Sequence, residues 1–133
     1  MMLRCLLVDD SPRFLAAARG LLERQGVSVV GVASTSAEAL QRVRELRPDV
    51  TLLDIDLGGE SGFELARRLH QEAGPAPAPV ILVSTHAEED YAELIAASPA
   101  VGFLPKSALS AGGIRQLLAG HGDGGRVSAP PGR

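Results

Sequence analysis

The feature that most constrains this chain is a fivefold alternation of short apolar runs with stretches of helical period. Residues 3–8, 27–33, 50–53, 80–83 and 101–104 are apolar almost without interruption, and each is followed by an amphipathic segment. A strand exposed on one face alternates apolar and polar residues. An unbroken run requires both faces to be covered, as in a parallel sheet packed between helix layers. The pattern therefore predicts a five-stranded, doubly wound α/β domain with helices on both faces.

Local signals place the helices. Ser11-Pro12 offers an N-cap and a proline at the first helical position, followed by the stripe Phe14, Leu15, Ala18, Leu21 and Leu22, with Gly26 as a stop. Thr35 and Glu38 have capping-box spacing ahead of Leu40, Val43 and Leu46, and Pro48 ends that helix. Ser61 and Glu64 repeat the box ahead of Phe63, Ala66 and Leu69. Glu88, Glu89 and Asp90 are expected in the first turn of a helix carrying Leu94 and Ile95, where a helix dipole favours acids. Ile114, Leu117 and Leu118 mark the last helix. Residues 74–79 read as a Pro- and Ala-rich loop. Residues 121–133 lack any apolar period, so a domain over 1–120 with a tail or linker stump over 121–133 is expected.

Bulk properties exclude some function classes. At 133 residues, 45% hydrophobic and 22% charged, the chain is sized and balanced for one globular domain. A net charge of −3 and the lack of a Lys/Arg-dense run argue against direct nucleic-acid contact. The lone Cys5 cannot form an internal disulfide or a thiolate cluster, and its apolar run reads as a buried position. The start Met1-Met2-Leu3-Arg4 lacks a signal-peptide stretch, and no segment reaches membrane-spanning length; a cytoplasmic protein without membrane contact is the expectation.

In an open parallel α/β sheet, ligands bind beyond the carboxyl ends of the strands. Asp9 and Asp10 follow the first predicted strand, Asp54 the third and Ser84 the fourth, while Lys106 lies just past the fifth. Each alone has a bland reading as a cap, a turn former or surface charge. Together they bring complementary types to one rim. Three crowded carboxylates repel, and a hard divalent cation such as Mg²⁺ removes the conflict. An ammonium and a hydroxyl can hold phosphoryl oxygens while an aspartate serves as nucleophile.

The segments LLVDDSP, LLDIDLGGESGFEL, VILVSTH and GFLPKS, in that order and spacing, resemble the receiver domain of two-component response regulators over about residues 3–119. The resemblance implies the flavodoxin-like strand order 2-1-3-4-5, which the family's known members illustrate. It implies Asp54 as phospho-acceptor and Asp9, Asp10, Asp54 and the main-chain carbonyl of Asp56 as ligands of Mg²⁺. It further implies Ser84 as the switch hydroxyl, Lys106 as the phosphoryl-binding lysine and Phe103 as an aromatic that turns inward on activation. Asp56, Thr85 and His86 would border the path of the hydrolytic water and tune the lifetime of the phosphorylated state. The implied donor is a sensor histidine kinase or phosphotransfer protein. The implied output is another protein or a second copy, met through the face of the fourth helix, fifth strand and fifth helix.

Departures from the family pattern are also visible. Gly58 replaces a common proline, which suggests a looser loop; Ser107 replaces another, so the Lys106–Ser107 peptide is expected to be trans. The Lys-Ser pair is closest in flavour to receivers of LuxR-type regulators, although the chain ends before a helix-turn-helix. One rival reading takes LLDIDLGG as the DxD signature of haloacid-dehalogenase-type phosphatases. That signature belongs on an early strand with the acidic pair arriving late, the reverse of the order here. A receiver-like module that is never phosphorylated is disfavoured by the retained set of acids, hydroxyl and lysine. A Rossmann-type nucleotide binder is disfavoured because no Gly-rich turn follows the first strand.

Overall fold

Five strands, β1 (Leu3–Val8), β2 (Val27–Ala33), β3 (Val50–Asp54), β4 (Val80–Ser84) and β5 (Gly102–Pro105), lie parallel in the order β2-β1-β3-β4-β5. The predicted doubly wound sheet and its strand order are both present. The structure is a computed structural model that describes residues 2–72 and 78–124, with side chains described to Gly120. Most of the loop expected at 74–79 and all of the tail beyond Gly124 lie outside the described residues.

The unbroken apolar runs are explained by the two cores they serve. Leu6, Val8, Leu53, Leu82 and Phe103 face one way, against α2 (Ser36–Leu46) and α3 (Gly62–Glu72). Cys5, Leu7, Leu52 and Ile81 face the other way, against α1 (Pro12–Arg24) and α5 (Ala111–Gly124). Successive strand residues thus enter opposite cores, so until β3 ends at Asp54, β1 and β3 are apolar but for Arg4, near the open start of β1, and the buried Thr51. Burial pushes the Cys5 thiol up to about 12, with a backbone hydrogen bond to Leu52 opposing weakly, so it stays protonated and behaves as a small hydrophobe.

The helix ends follow the sequence closely. Ser11 Oγ accepts the Phe14 N–H at 3.2 Å and Pro12 opens α1; α1 ends at Arg24, with Gly26 at φ +88° just beyond. Thr35 Oγ1 accepts the Glu38 N–H at 3.2 Å, but the return bond of the expected capping box goes elsewhere: Ser34 N–H donates to Glu38 Oε1 at 2.8 Å. Ser61 likewise caps α3 on one side only, accepting the Glu64 N–H at 3.3 Å, while Glu64 pairs with Arg67. At the end of α2, Arg47 adopts a left-handed conformation at φ +48° and Pro48 follows. The Arg4 guanidinium donates to the Leu46 and Arg47 carbonyls at 2.7 and 2.8 Å, which satisfies the exposed end of that helix.

The fourth helix departs from expectation. Glu88, Glu89 and Asp90 lie on a 3-10 turn, Glu88–Tyr91, and α4 (Ala92–Ala97) is six residues long. The acids therefore precede the helix rather than occupy its first turn, and Leu94 is left 53% exposed. The backbone of α5 continues to Gly124, four residues into the segment expected to be a tail. No helix among the described residues is long and apolar enough to cross a membrane.

Candidate functional site

Every strand except β2 delivers a reactive side chain, or the residue just beyond its end, to one rim. This is the carboxyl edge on either side of the β1–β3 boundary, where the strand order reverses. Asp9 leaves β1 almost completely buried, at 1% exposure, whereas Asp10 is exposed. Asp54 is the last residue of β3, at 6% exposure, and Ser84 the last of β4. Lys106 begins the 3-10 turn after β5 and reaches back across the sheet edge.

The contacts define an anionic crevice. Asp9 Oδ1 accepts the Ser11 N–H at 2.9 Å, and Asp54 Oδ1 accepts the Asp56 N–H at 3.1 Å. Lys106 Nζ sits 2.6 Å from Asp9 Oδ2 and 3.3 Å from Asp54 Oδ2. The approach to Asp9 is close but out of line for a hydrogen bond, so Asp9 Oδ2 is a buried oxygen without an aligned donor among the described residues. One carboxylate oxygen from each of Asp9, Asp10 and Asp54 lies within 4.8 Å of the others.

Burial raises the Asp54 carboxyl to about 6; the Asp56 N–H opposes, the Asp9 charge adds to the rise, and the Lys106 charge and hydrogen bond oppose it. Asp54 is thus largely ionised at neutral pH despite its surroundings. Burial alone would lower Lys106, but Asp9 and Asp54 together outweigh it and hold the ammonium above its ordinary value. Three carboxylates less one ammonium leave two negative charges in the crevice. Oxygen-only donors, a double negative charge and an unaligned buried oxygen fit a hard divalent cation of the Mg²⁺ type. The Asp56 carbonyl accepts no hydrogen bond among the described residues and is available as a further oxygen donor.

Around this centre, the structure arranges the other predicted residues unequally. Ser84 Oγ accepts the His86 N–H at 3.0 Å and lies 3.5 Å from His86 Nδ1, so the hydroxyl is engaged by its own loop. Thr85 and His86 are exposed; the His86 ring meets Tyr91 edge-on at 5.8 Å, and Tyr91 in turn lies 6.0 Å from Phe63. The Asp56 side chain is exposed. Phe103 is buried, 6% exposed, in the core cluster shared with α2 and α3. The Lys106–Ser107 peptide is trans, as expected.

Three features of the site escaped the sequence reading. Phe14, assigned only to the α1 stripe, holds its ring 4.3 Å from Lys106 Nζ in a cation–π contact. Gly62 packs directly on the end of β3: a Cβ there would collide with the Asp54 carbonyl oxygen and lie 2.6 Å from Ile55 Cα, both backbone. The loop around Gly58 is not loose. Gly58 and Gly59 take φ +60° and +103°, Leu57 and Glu60 exchange backbone hydrogen bonds of 2.9 and 3.4 Å, and Asp56 bridges to Ser61. This is a two-residue hairpin with the left-handed centre of a type I′ turn, and the Gly-Gly pair in LGGE was its sequence signal.

Comparison with known proteins adds a second line of argument. A family model described as "Response regulator receiver domain" matches residues 5–118. The transcriptional activator protein ExaE of Pseudomonas putida is 38% identical over 120 residues, covering 87% of this chain and 55% of ExaE. Protein PilH of Pseudomonas aeruginosa is 36% identical over 88 residues, 66% of this chain and 72% of PilH. The crystal structure of a LuxR-family two-component response regulator from an Aurantimonas species superposes with a TM-score of 0.77 at 31% identity, over 90% of this chain and 84% of that one. The chain thus spans about half the length of ExaE.

Proposed function

The chain belongs to the response regulator receiver family of two-component signalling, and from that premise we propose that it accepts a phosphoryl group on Asp54 and relays the change through a protein-interaction face. The observation that carries the reading is the position of the buried Asp54 carboxylate. It lies at the strand end, with Lys106 Nζ at 3.3 Å and the Asp9–Asp10 pair within reach of a shared cation.

The donor is a phosphohistidine on a partner sensor kinase or phosphotransfer protein. An Asp54 oxygen attacks phosphorus, the phosphorus–nitrogen bond breaks, and the imidazole leaves with its electron pair and takes a proton. Asp54 serves as nucleophile because, with a pKa near 6, it is mostly ionised at neutral pH. The Asp56 N–H holds Oδ1 and so fixes the orientation of the carboxylate. Lys106, paired with both Asp9 and Asp54, places a positive charge beside the incoming phosphoryl oxygens. Asp9, Asp10, Asp54 and the Asp56 carbonyl would hold Mg²⁺, which supplies neutralisation of the charge gathered on the phosphoryl group.

Ser84 then leaves its contacts with the His86 loop and turns toward the new phosphoryl oxygens. Since Phe103 is already packed inside, the aromatic stabilises the inward arrangement rather than travelling into it. The face formed by α4, β5 and α5, with Leu94 exposed on it, would meet an output protein or a second copy of the chain. In this reading residues 1–120 are the receiver unit, 121–133 a tail or linker, and the setting is cytoplasmic. Asp56, Thr85 and His86 set the lifetime of the acyl phosphate from the mouth of the crevice.

Acetyl phosphate with Mg²⁺ should label the protein once per chain, read as a mass shift, and Asp54→Ala should remain unlabelled. Labelling of that variant would overturn the assignment. Steady turnover of p-nitrophenyl phosphate would instead favour the phosphatase reading.

A further inference from the structure

We propose that the Gly58–Gly59 turn is a positioning element for the cation site, a backbone wall that seats the Asp10 carboxylate toward Asp9 and Asp54. The proposal rests on the cation reading of the crevice given above.

The three carboxylates are restrained to different degrees. Asp9 is held by the Ser11 N–H and Lys106, and Asp54 by the Asp56 N–H and Lys106. Asp10 is exposed, and among the described residues its side chain makes no hydrogen bond or ion pair. What borders it is Gly58. A Cβ built on Gly58 would lie 2.8 Å from Asp10 Oδ2, 3.6 Å from Cγ and 3.7 Å from Cβ. The backbone therefore approaches the carboxylate to a distance that only glycine permits.

The wall is itself fixed at its base. Leu57 is buried in the core, Asp56 bridges to Ser61, and Gly62 N–H donates to the Ile55 carbonyl at 2.9 Å. Glu60 Oε1 accepts the Ser36 N–H at 2.9 Å, tying the far arm of the hairpin to the start of α2. A hairpin anchored at both arms puts its apex in one place, and that place is against Asp10. A proline at position 58 could not do the same, since its ring sets φ near −65° and Gly58 is at +60°.

The neighbouring glycine supplies an internal control. Gly59 is also left-handed, at φ +103°, but a Cβ there meets nothing within 4 Å. An alanine at 59 carries the backbone strain without the collision. An alanine at 58 carries both, and the atom that must give way is the free end of the Asp10 side chain. The fold should then survive both changes, while the cation seat is lost only in one.

The test is Mg²⁺ binding to the full chain by titration calorimetry, with the metal-free thermal midpoint as a measure of strain. Gly58→Ala should weaken Mg²⁺ by about tenfold, the usual scale for a group that orients a metal ligand, and Gly59→Ala by less than about twofold on that same scale. Gly58→Asn, whose side chain tolerates left-handed backbone but keeps the colliding Cβ, should weaken binding as Gly58→Ala does, and it decides the matter if the alanine variant fails to fold. Equal Mg²⁺ affinity in wild type and Gly58→Asn, or equal losses at positions 58 and 59, would overturn the proposal. Absence of Mg²⁺ binding by the wild type would overturn the cation reading itself.

Discussion

Replacing Asp54 by Asn should make the metal-free protein more stable, and the gain should depend on pH. Burial together with the nearby Asp9 charge raises the Asp54 carboxyl from its ordinary 3.8 to about 6. The folded state therefore binds this proton more tightly than the unfolded chain does, and wild-type stability declines as pH rises from about 4 through 6. Two units at 1.36 kcal/mol each set a ceiling of about 3 kcal/mol on the penalty above pH 7. The crevice opens to solvent at the exposed Asp10, so a measured gain of about 1–2 kcal/mol is the realistic expectation after screening. Asn carries no charge and its carbonyl can still accept the Asp56 N–H, while Lys106 keeps Asp9 at 2.6 Å. Urea unfolding in EDTA should show the full gain at pH 7.5 and about a third of it at pH 4.5, where most of the penalty has been titrated away. Saturating Mg²⁺ at pH 7.5 should narrow the gap, because it binds the folded wild type in preference to the unfolded chain. A gain of equal size at both pH values, or a metal-free variant less stable than wild type at pH 7.5, would refute the reasoning.

Lys106→Met should destabilise the metal-free protein by about 3–5 kcal/mol at pH 7.5, the scale for stripping one partner from a buried ion pair. The raised Lys106 pKa means its pairing stabilises the fold at all pH values below about 10.5 where the two acids are ionised. The loss should accordingly shrink toward pH 5 as Asp54 protonates, and with Mg²⁺; a loss indifferent to both, followed by urea unfolding, would contradict the charge account. The Asp56→Ala/His86→Ala double variant should change the half-life of the acetyl phosphate-derived label several-fold, followed by mass after the donor is removed; an unaltered half-life would remove both residues from the clock.

The division between what was and was not legible in the sequence is physical. Strand positions could be read because burial on two faces disfavours polar residues, and the mostly apolar letters of β1 and β3 record that directly. The reactive residues could be read because they are the first polar letters after each run. What escaped depends on how the chain closes in three dimensions. Phe14 meets Lys106, 92 positions further along the chain, because α1 and the turn after β5 pack at the same edge, and nothing in either segment names the other. The capping boxes were legible as spacing, but whether Glu38 turns to Thr35 or to Ser34 depends on the approach of the preceding strand. The acids at 88–90 fit a helix start by composition, yet the chain tightens into a 3-10 turn there before α4 begins.

Within the site, the carboxylates cannot be understood as stabilising contacts. A carboxylate pushed up to about 6 and a second with an unaligned buried oxygen, offset only in part by the one ammonium between them, make the metal-free rim worse than a neutral one of equal shape. The two apolar cores offset that cost, and the cost is what makes the rim responsive. A group already compensated by its neighbours would have little to gain from a cation or from a change of charge on Asp54. A crevice left two charges short of balance gains from both, so its affinity for a divalent cation and its stability are two readings of one imbalance. By that argument, variants that relieve the crowding should stabilise the fold and weaken the response together, and any variant that raised both would show that the imbalance is incidental.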